Sequence, residues 1–165
     1  AALFNFNGIY TPIVTPYDLD GSVHWDRLAD VIEWLVSEGV HGLITGGSTG
    51  EKYAQTVAER IEIAQFTSDR LNGRLPLVVG TGAMLTSDSV ALAEAAKAIG
   101  ADAILLASPP YAVPTDHENA LNRSTVVACR IRKHARLHAQ LHMPAANGVN
   151  VAVNDVPDPV KVAVA

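Results

Sequence analysis

Cysteine is all but missing from this 165-residue chain: Cys129 stands alone, which excludes an internal disulfide framework and suits a reducing compartment, the cytoplasm. Aromatic residues are few, at 5%. None interleave the basic cluster Arg130-Ile131-Arg132-Lys133-His134-Ala135-Arg136, so that cluster carries no nucleic-acid signature. No uninterrupted apolar stretch approaches the roughly 18–20 residues of a membrane span. Ala1-Ala2-Leu3-Phe4-Asn5 has no basic patch ahead of an apolar core, hence no visible secretory signal. Metal-ligand patterns are also lacking. His134, His138 and His142 would stack along one helical stripe, but no second motif accompanies them, and they read as a solvated basic face. Nothing marks a base for Cys129, which reads as an inert thiol.

What remains is an ordinary globular composition, 48% hydrophobic and 18% charged, of a length that fits one domain. The net charge of −5 hides an asymmetry. Residues 1–121 hold 15 acidic and 6 basic side chains, whereas residues 122–165 hold 2 acidic and 6 basic. The last quarter therefore follows different rules, and a boundary is expected at about residue 121.

Up to residue 110 the chain alternates between apolar runs and amphipathic segments. Gly8–Val14 reads as a first strand, with Pro12 where no ladder donor is required. A turn at Asp18-Leu19-Asp20-Gly21 follows. Leu28, Val31, Ile32, Leu35 and Val36 then form one helical face, ended by Gly39. Val40–Thr45 is a second strand. Thr56 and Glu59 form a capping box for a helix whose inner side is expected at Val57, Ile61, Ala64, Ser68 and Leu71. Leu75–Gly82 is a third strand. Ser87 starts a helix that turns Leu92, Ala93, Ala96 and Ile99 inward until Gly100, and Ala103–Ala107 is a fourth strand. Continuous apolar runs separated by amphipathic helices, about 27–35 residues from strand to strand, specify a parallel sheet covered by helices. Beyond Pro114, Thr115 and Glu118 suit a capping box for a helix reaching about His142. Short strands are expected at Val149–Asn154 and Val160–Val164.

Two strand exits hold the chemistry. Gly46-Gly47-Ser48-Thr49-Gly50-Glu51 leaves the second strand, and a glycine-rich turn lets backbone N–H groups crowd a small anion. Its paired hydroxyls point to a carboxylate or phosphate. Ser108-Pro109-Pro110-Tyr111 leaves the fourth strand. In a parallel sheet both tips open on the carboxyl edge, so the hydroxyl turn and the Tyr111 phenol are expected to share a pocket. A Walker A loop fits poorly, because Glu51 occupies the place of its last glycine and Tyr53 that of its Mg²⁺-binding hydroxyl.

Gly8-Ile9-Tyr10-Thr11-Pro12-Ile13-Val14-Thr15-Pro16, Gly47-Ser48-Thr49-Gly50-Glu51, Gly80-Thr81-Gly82-Ala83 and Ser108-Pro109-Pro110-Tyr111 occur in the order and at the spacing of a known family. Across roughly residues 8–120 the chain resembles the dihydrodipicolinate synthase / N-acetylneuraminate lyase family of pyruvate-dependent class I aldolases. The resemblance implies a (β/α)₈ TIM barrel, here a partial barrel of four to six parallel strands, and assembly as a homo-oligomer. It implies a lyase that needs no metal or organic cofactor, because a lysine Schiff base with pyruvate or another 2-oxo acid is itself the electron sink. By position it assigns Ser48 and Thr49 to the substrate carboxylate and makes Tyr111 a proton relay with Ser48. Hydroxyl and N–H donors suit a carboxylate, and a hydrogen-bonded phenol can pass protons.

The pattern then breaks. Where the family's fifth strand ends in Tyr-Asn-x-Pro, the closest run here is Val153-Asn154-Asp155-Val156-Pro157, with valine in place of the phenol. No segment resembles the surroundings of the family's Schiff-base lysine. Lys161 lies in a strand-like run but lacks the expected neighbours. Residues 1–121 are accordingly expected to be the N-terminal half of such a barrel, truncated or disrupted and catalytically impaired, and residues 122–165 a divergent basic helix with short strands. The competing expectation is a non-catalytic half-barrel that self-associates through its exposed sheet edges.

Overall fold

Residues 7–107, 115, 117–118 and 162–163 are described by the structure, a computed structural model. The alternation of apolar runs and amphipathic segments becomes β1 (Tyr10–Pro12), α1 (Trp25–Ser37), β2 (Gly42–Thr45), α2 (Val57–Leu71), β3 (Leu77–Gly80), α3 (Thr86–Ile99), β4 (Ala103–Leu105) and β5 (Val162–Ala163). A 3₁₀ turn, Lys52–Ala54, lies between β2 and α2. The strands form one sheet in the order β1-β2-β3-β4-β5, every neighbouring pair parallel. Each strand is shorter than the apolar run that announced it, because an apolar run continues past the point where its ladder ends. Pro12 sits in β1, which pairs with β2 alone among the described residues, so its missing N–H leaves no partner unserved.

The local signals behave as their chemistry requires. Thr56 and Glu59 cap α2 reciprocally: the Glu59 carboxylate accepts from the Thr56 N–H at 2.7 Å, and the Thr56 hydroxyl accepts from the Glu59 N–H at 3.2 Å. The same box forms between Thr115 and Glu118. Gly39 follows α1 at φ +76°, a left-handed value that a glycine adopts without strain. The Asp18–Gly21 turn closes through a Gly21 N–H donated to the Asp18 carbonyl at 2.9 Å. His24, which no capping preference singles out, caps α1 by accepting the Arg27 N–H at 3.5 Å.

One helical face differs from expectation. The buried side of α2 is Arg60, Ile63, Ala64, Thr67 and Leu71, while Val57, Ile61 and Ser68 are only partly buried. A stripe containing an arginine reads from sequence as a solvent face, yet this arginine turns toward the sheet. In α3, Ile99 is likewise only partly covered.

Between sheet and helices lies one core. Leu43, Leu77, Val79 and Ile104 of the strands meet Leu28, Ile32 and Leu35 of α1, Ile63, Ala64 and Leu71 of α2, and Ala93 and Ala96 of α3. Each large aliphatic buried there contributes about 1.5–3 kcal/mol relative to exposure. Trp25 and Phe66 join α1 to α2 with ring centroids 5.0 Å apart. At the surface the Glu33 carboxylate of α1 accepts from Arg70 Nε at 2.6 Å and from Arg74 Nη1 and Nη2 at 2.8 Å.

Hydrogen bonds from Arg74 and then Arg70 hold the Glu33 carboxyl down to about 2, below its ordinary 4.5. A carboxyl depressed in the folded state contributes stability that is complete above 4.5 and lost as pH falls through about 2. Glu33→Gln should therefore remove part of the acid limb. The gap between parent and variant urea midpoints is expected to close as pH is lowered through that window. A gap that stays constant across it would dissociate Glu33 from acid stability.

The expected helix toward His142, the strand at Val149–Asn154, Cys129, the basic cluster Arg130–Arg136, the histidine stripe and Lys161 lie outside the described residues. Of the expected strand at Val160–Val164, Val162 and Ala163 are described, in register with Ile104 and Leu105 of β4. No helix among the described residues is long and apolar enough to cross a membrane.

Candidate active site

Because the strands run parallel, the exits of β2, β3 and β4 all open on one edge of the sheet. The turn leaving β2 rests on its two neighbours. Gly46 stands at φ +65°, and a Cβ there would lie 2.9 Å from the Gly80 carbonyl oxygen at the end of β3. A Cβ on Gly50 would lie 2.8 Å from the Ile13 carbonyl oxygen beyond β1. Neither position accepts a side chain without moving backbone.

Within the turn Gly47 and Gly50 are buried, while Ser48 and Thr49 stand exposed at its tip. The Glu51 N–H donates to the Ser48 carbonyl at 3.1 Å and the Lys52 N–H to the Gly47 carbonyl at 3.3 Å. No hydrogen bond ties either hydroxyl to another described residue. The base of the turn is clamped from the side. The Thr15 hydroxyl donates to the Gly50 carbonyl at 3.1 Å, and the Gln55 amide reaches the same carbonyl at 2.6 Å, Thr15 Oγ1 at 3.1 Å and the Tyr17 hydroxyl at 2.7 Å.

Beneath the turn lies a buried polar group. Arg60, only 6% exposed, donates from Nη2 to the Gly80 carbonyl at 2.8 Å. Its Nε and the hydroxyls of Thr45 and Thr81 are buried without a hydrogen-bond partner among the described residues. Burial pulls the Arg60 guanidinium below its ordinary value, opposed by the charge of Asp88. Lys52, half-buried just after the turn, is likewise lowered by burial and then by the Arg60 charge.

Of the residues expected at the site, Ser48 and Thr49 occupy the carboxyl edge. Tyr111 lies outside the described residues, the chain being followed from β4 as far as Ala107 at that edge. Thr15, Gln55 and Arg60 were not singled out by sequence reasoning. Thr15 had a signal, since it follows a strand and precedes a proline; Gln55 and Arg60 had none. Among the described residues no group of three His, Cys, Asp or Glu side chains could hold a metal ion.

Parallel strands, the first three each followed by a helix, with a hydroxyl-bearing glycine turn at the carboxyl end of β2, define a partial (β/α) barrel. Residues 5–130 match the dihydrodipicolinate synthetase family, and the chain belongs to that family. It is 43% identical over 108 residues to the 4-hydroxy-tetrahydrodipicolinate synthase of Stutzerimonas stutzeri, covering 66% of this chain and 37% of that relative. Its fold matches the dihydrodipicolinate synthase of Acinetobacter baumannii, solved in complex with pyruvate, with a TM-score of 0.73 and 32% identity over 76% of this chain and 43% of that one. The N-acetylneuraminate lyase of Mycoplasma synoviae matches with a TM-score of 0.72 and 26% identity over 76% and 45% of the two chains. The chain thus spans well under half the length of the relatives it matches.

Proposed function

We propose that this chain carries the 2-oxo-acid-binding half of a pyruvate-dependent lyase acting through a lysine Schiff base. Ser48 and Thr49 receive the carboxylate, and Tyr111 relays protons with Ser48. The observation that carries this reading is the pair of exposed hydroxyls, tied to no other described residue, at the tip of a braced glycine turn on the carboxyl edge of a parallel sheet. The adjacent backbone N–H groups and two hydroxyls supply the donors a carboxylate requires, and the neighbouring cations Lys52 and Arg60 add a favourable field.

Residues 1–121 form this functional half, and residues 122–165 follow another pattern, although the family match continues to residue 130. The later segment offers neither the fifth-strand tyrosine nor a lysine in family-like surroundings. The chain by itself accordingly binds the acid while remaining catalytically impaired. The lone cysteine supports a reducing compartment, the cytoplasm.

Saturation-transfer NMR with pyruvate tests the reading, followed by borohydride treatment and mass analysis. Pyruvate should bind, whereas acetone, which has the ketone without the carboxylate, should not. A folded chain indifferent to pyruvate would sink the proposal. It would favour the second reading, a self-associating half-barrel, for which the exposed side chains of Tyr53, Met84 and Leu85 supply apolar surface. A borohydride-stable adduct on Lys161 would replace the impaired chain by an active one.

A further inference from the structure

Arg60 is an expensive residue to bury. Taking a guanidinium out of water costs several kcal/mol unless a carboxylate and well-formed hydrogen bonds compensate. Here no carboxylate among the described residues lies within ion-pairing distance of Arg60. What the guanidinium does have is a strand end. Its Nη2 donates to the Gly80 carbonyl at 2.8 Å and lies 3.6 Å from the place a Cβ would take on Gly46. The carbonyl it holds is the one that Gly46 packs against. A single side chain from α2 therefore reaches the end of β3 and the first residue of the turn leaving β2.

We propose that Arg60 is a positioning residue for the anion-binding turn: by fastening the Gly80 carbonyl under Gly46 it fixes how the turn leaves β2, and so where Ser48 and Thr49 stand. The ligand part of this rests on the proposed pyruvate site; the mechanical part does not. A carbonyl held from below cannot rotate away, and the Gly46 Cα packed over it loses the freedom that a left-handed glycine otherwise has. The hydroxyls of Thr45 and Thr81 at the ends of β2 and β3 are buried with no hydrogen-bond partner among the described residues, so of these buried polar side chains Arg60 is the one that holds backbone at the exits. The opposite ends of the same strands are held differently, by the Leu43 N–H on the Pro76 carbonyl at 3.0 Å and the His41 N–H on the Ile9 carbonyl at 2.8 Å.

That polarity supplies the test. In the full chain, Arg60→Met should accelerate amide hydrogen exchange at Glu51 and Lys52, which close the turn, by about tenfold or more, with Leu43 and His41 changed less than about threefold. Arg60→Lys keeps one donor for Gly80 and should lie between parent and Arg60→Met; it decides the matter alone if the methionine variant does not fold. In parallel, the dissociation constant for pyruvate should rise about tenfold in Arg60→Met and less in Arg60→Lys. Equal acceleration at both strand ends would reduce Arg60 to a general stabiliser and overturn the proposal, as would unchanged exchange in the turn. If the parent chain fails to bind pyruvate, the ligand reading falls, and the exchange comparison still decides the role of Arg60.

Discussion

Gly80→Ala is expected to destabilise the chain by about 3 kcal/mol, at the upper end of what overpacking a tight interior costs. The added Cβ would point at the Gly46 carbonyl oxygen, with the Gly46 carbonyl carbon at 2.6 Å and the Thr45 oxygen at 2.9 Å. All three are backbone atoms of the neighbouring strand exit, and none can swing aside as a side chain would. Relief requires β2 and β3 to separate at their carboxyl ends, which also breaks the Arg60 hydrogen bond to Gly80. In a folded unit of about 100 residues this loss lowers the melting temperature by roughly 12–24 °C. Gly73→Ala is the matching control. Gly73 has φ +73° with nothing within 4 Å of its Cβ position, so only the left-handed conformation is penalised, by about 1–2 kcal/mol. Melting curves that rank the two variants equally would mean that the exits of β2 and β3 are not pressed together.

Sequence reasoning recovered the features whose causes are local. The capping box at Thr56 and Glu59, the helix stop at Gly39 and the buried runs of β2 and β3 each depend on neighbours a few residues away, and each stands where expected. The same holds for the glycine turn with its paired hydroxyls. The errors arise where distant segments decide. Arg60 reads as a surface residue until a strand end, 20 residues further along the chain, presents its guanidinium with a backbone carbonyl. The inner face of α2 was displaced for that reason: burying Arg60 and Thr67 leaves Val57 and Ile61 partly exposed. Gln55 is another case, since its amide partners Thr15 and Tyr17 lie 40 and 38 residues away. The strand at Val160–Val164 was legible as an apolar run, but its pairing with β4 joins segments separated by more than fifty residues, and nothing local names that partner. At this site, then, the groups proposed to touch the ligand were legible, while those that hold them in place were not.

Removing both tip hydroxyls should weaken pyruvate binding about a hundredfold. A hydrogen bond to a charged group contributes about 1.5–3 kcal/mol, so Ser48→Ala and Thr49→Val should each raise the dissociation constant by about tenfold or more. The two donors share one carboxylate, so the double variant need not equal the product of the singles, and the departure measures their coupling. Valine keeps the shape of Thr49 and removes only its hydroxyl chemistry. Stability should hardly change, because both side chains are exposed and neither hydroxyl is tied to another described residue. That separates this pair from Gly80 and Arg60, whose substitution disturbs the backbone. Calorimetric titration of pyruvate and of acetate adds a chemical check. Acetate has the carboxylate without the ketone, so its weaker binding should fall in parallel across the variants if the hydroxyls hold the acid end. Full pyruvate affinity in the double variant would dissociate the Ser48–Thr49 turn from the carboxylate and leave the glycine turn with a purely structural role.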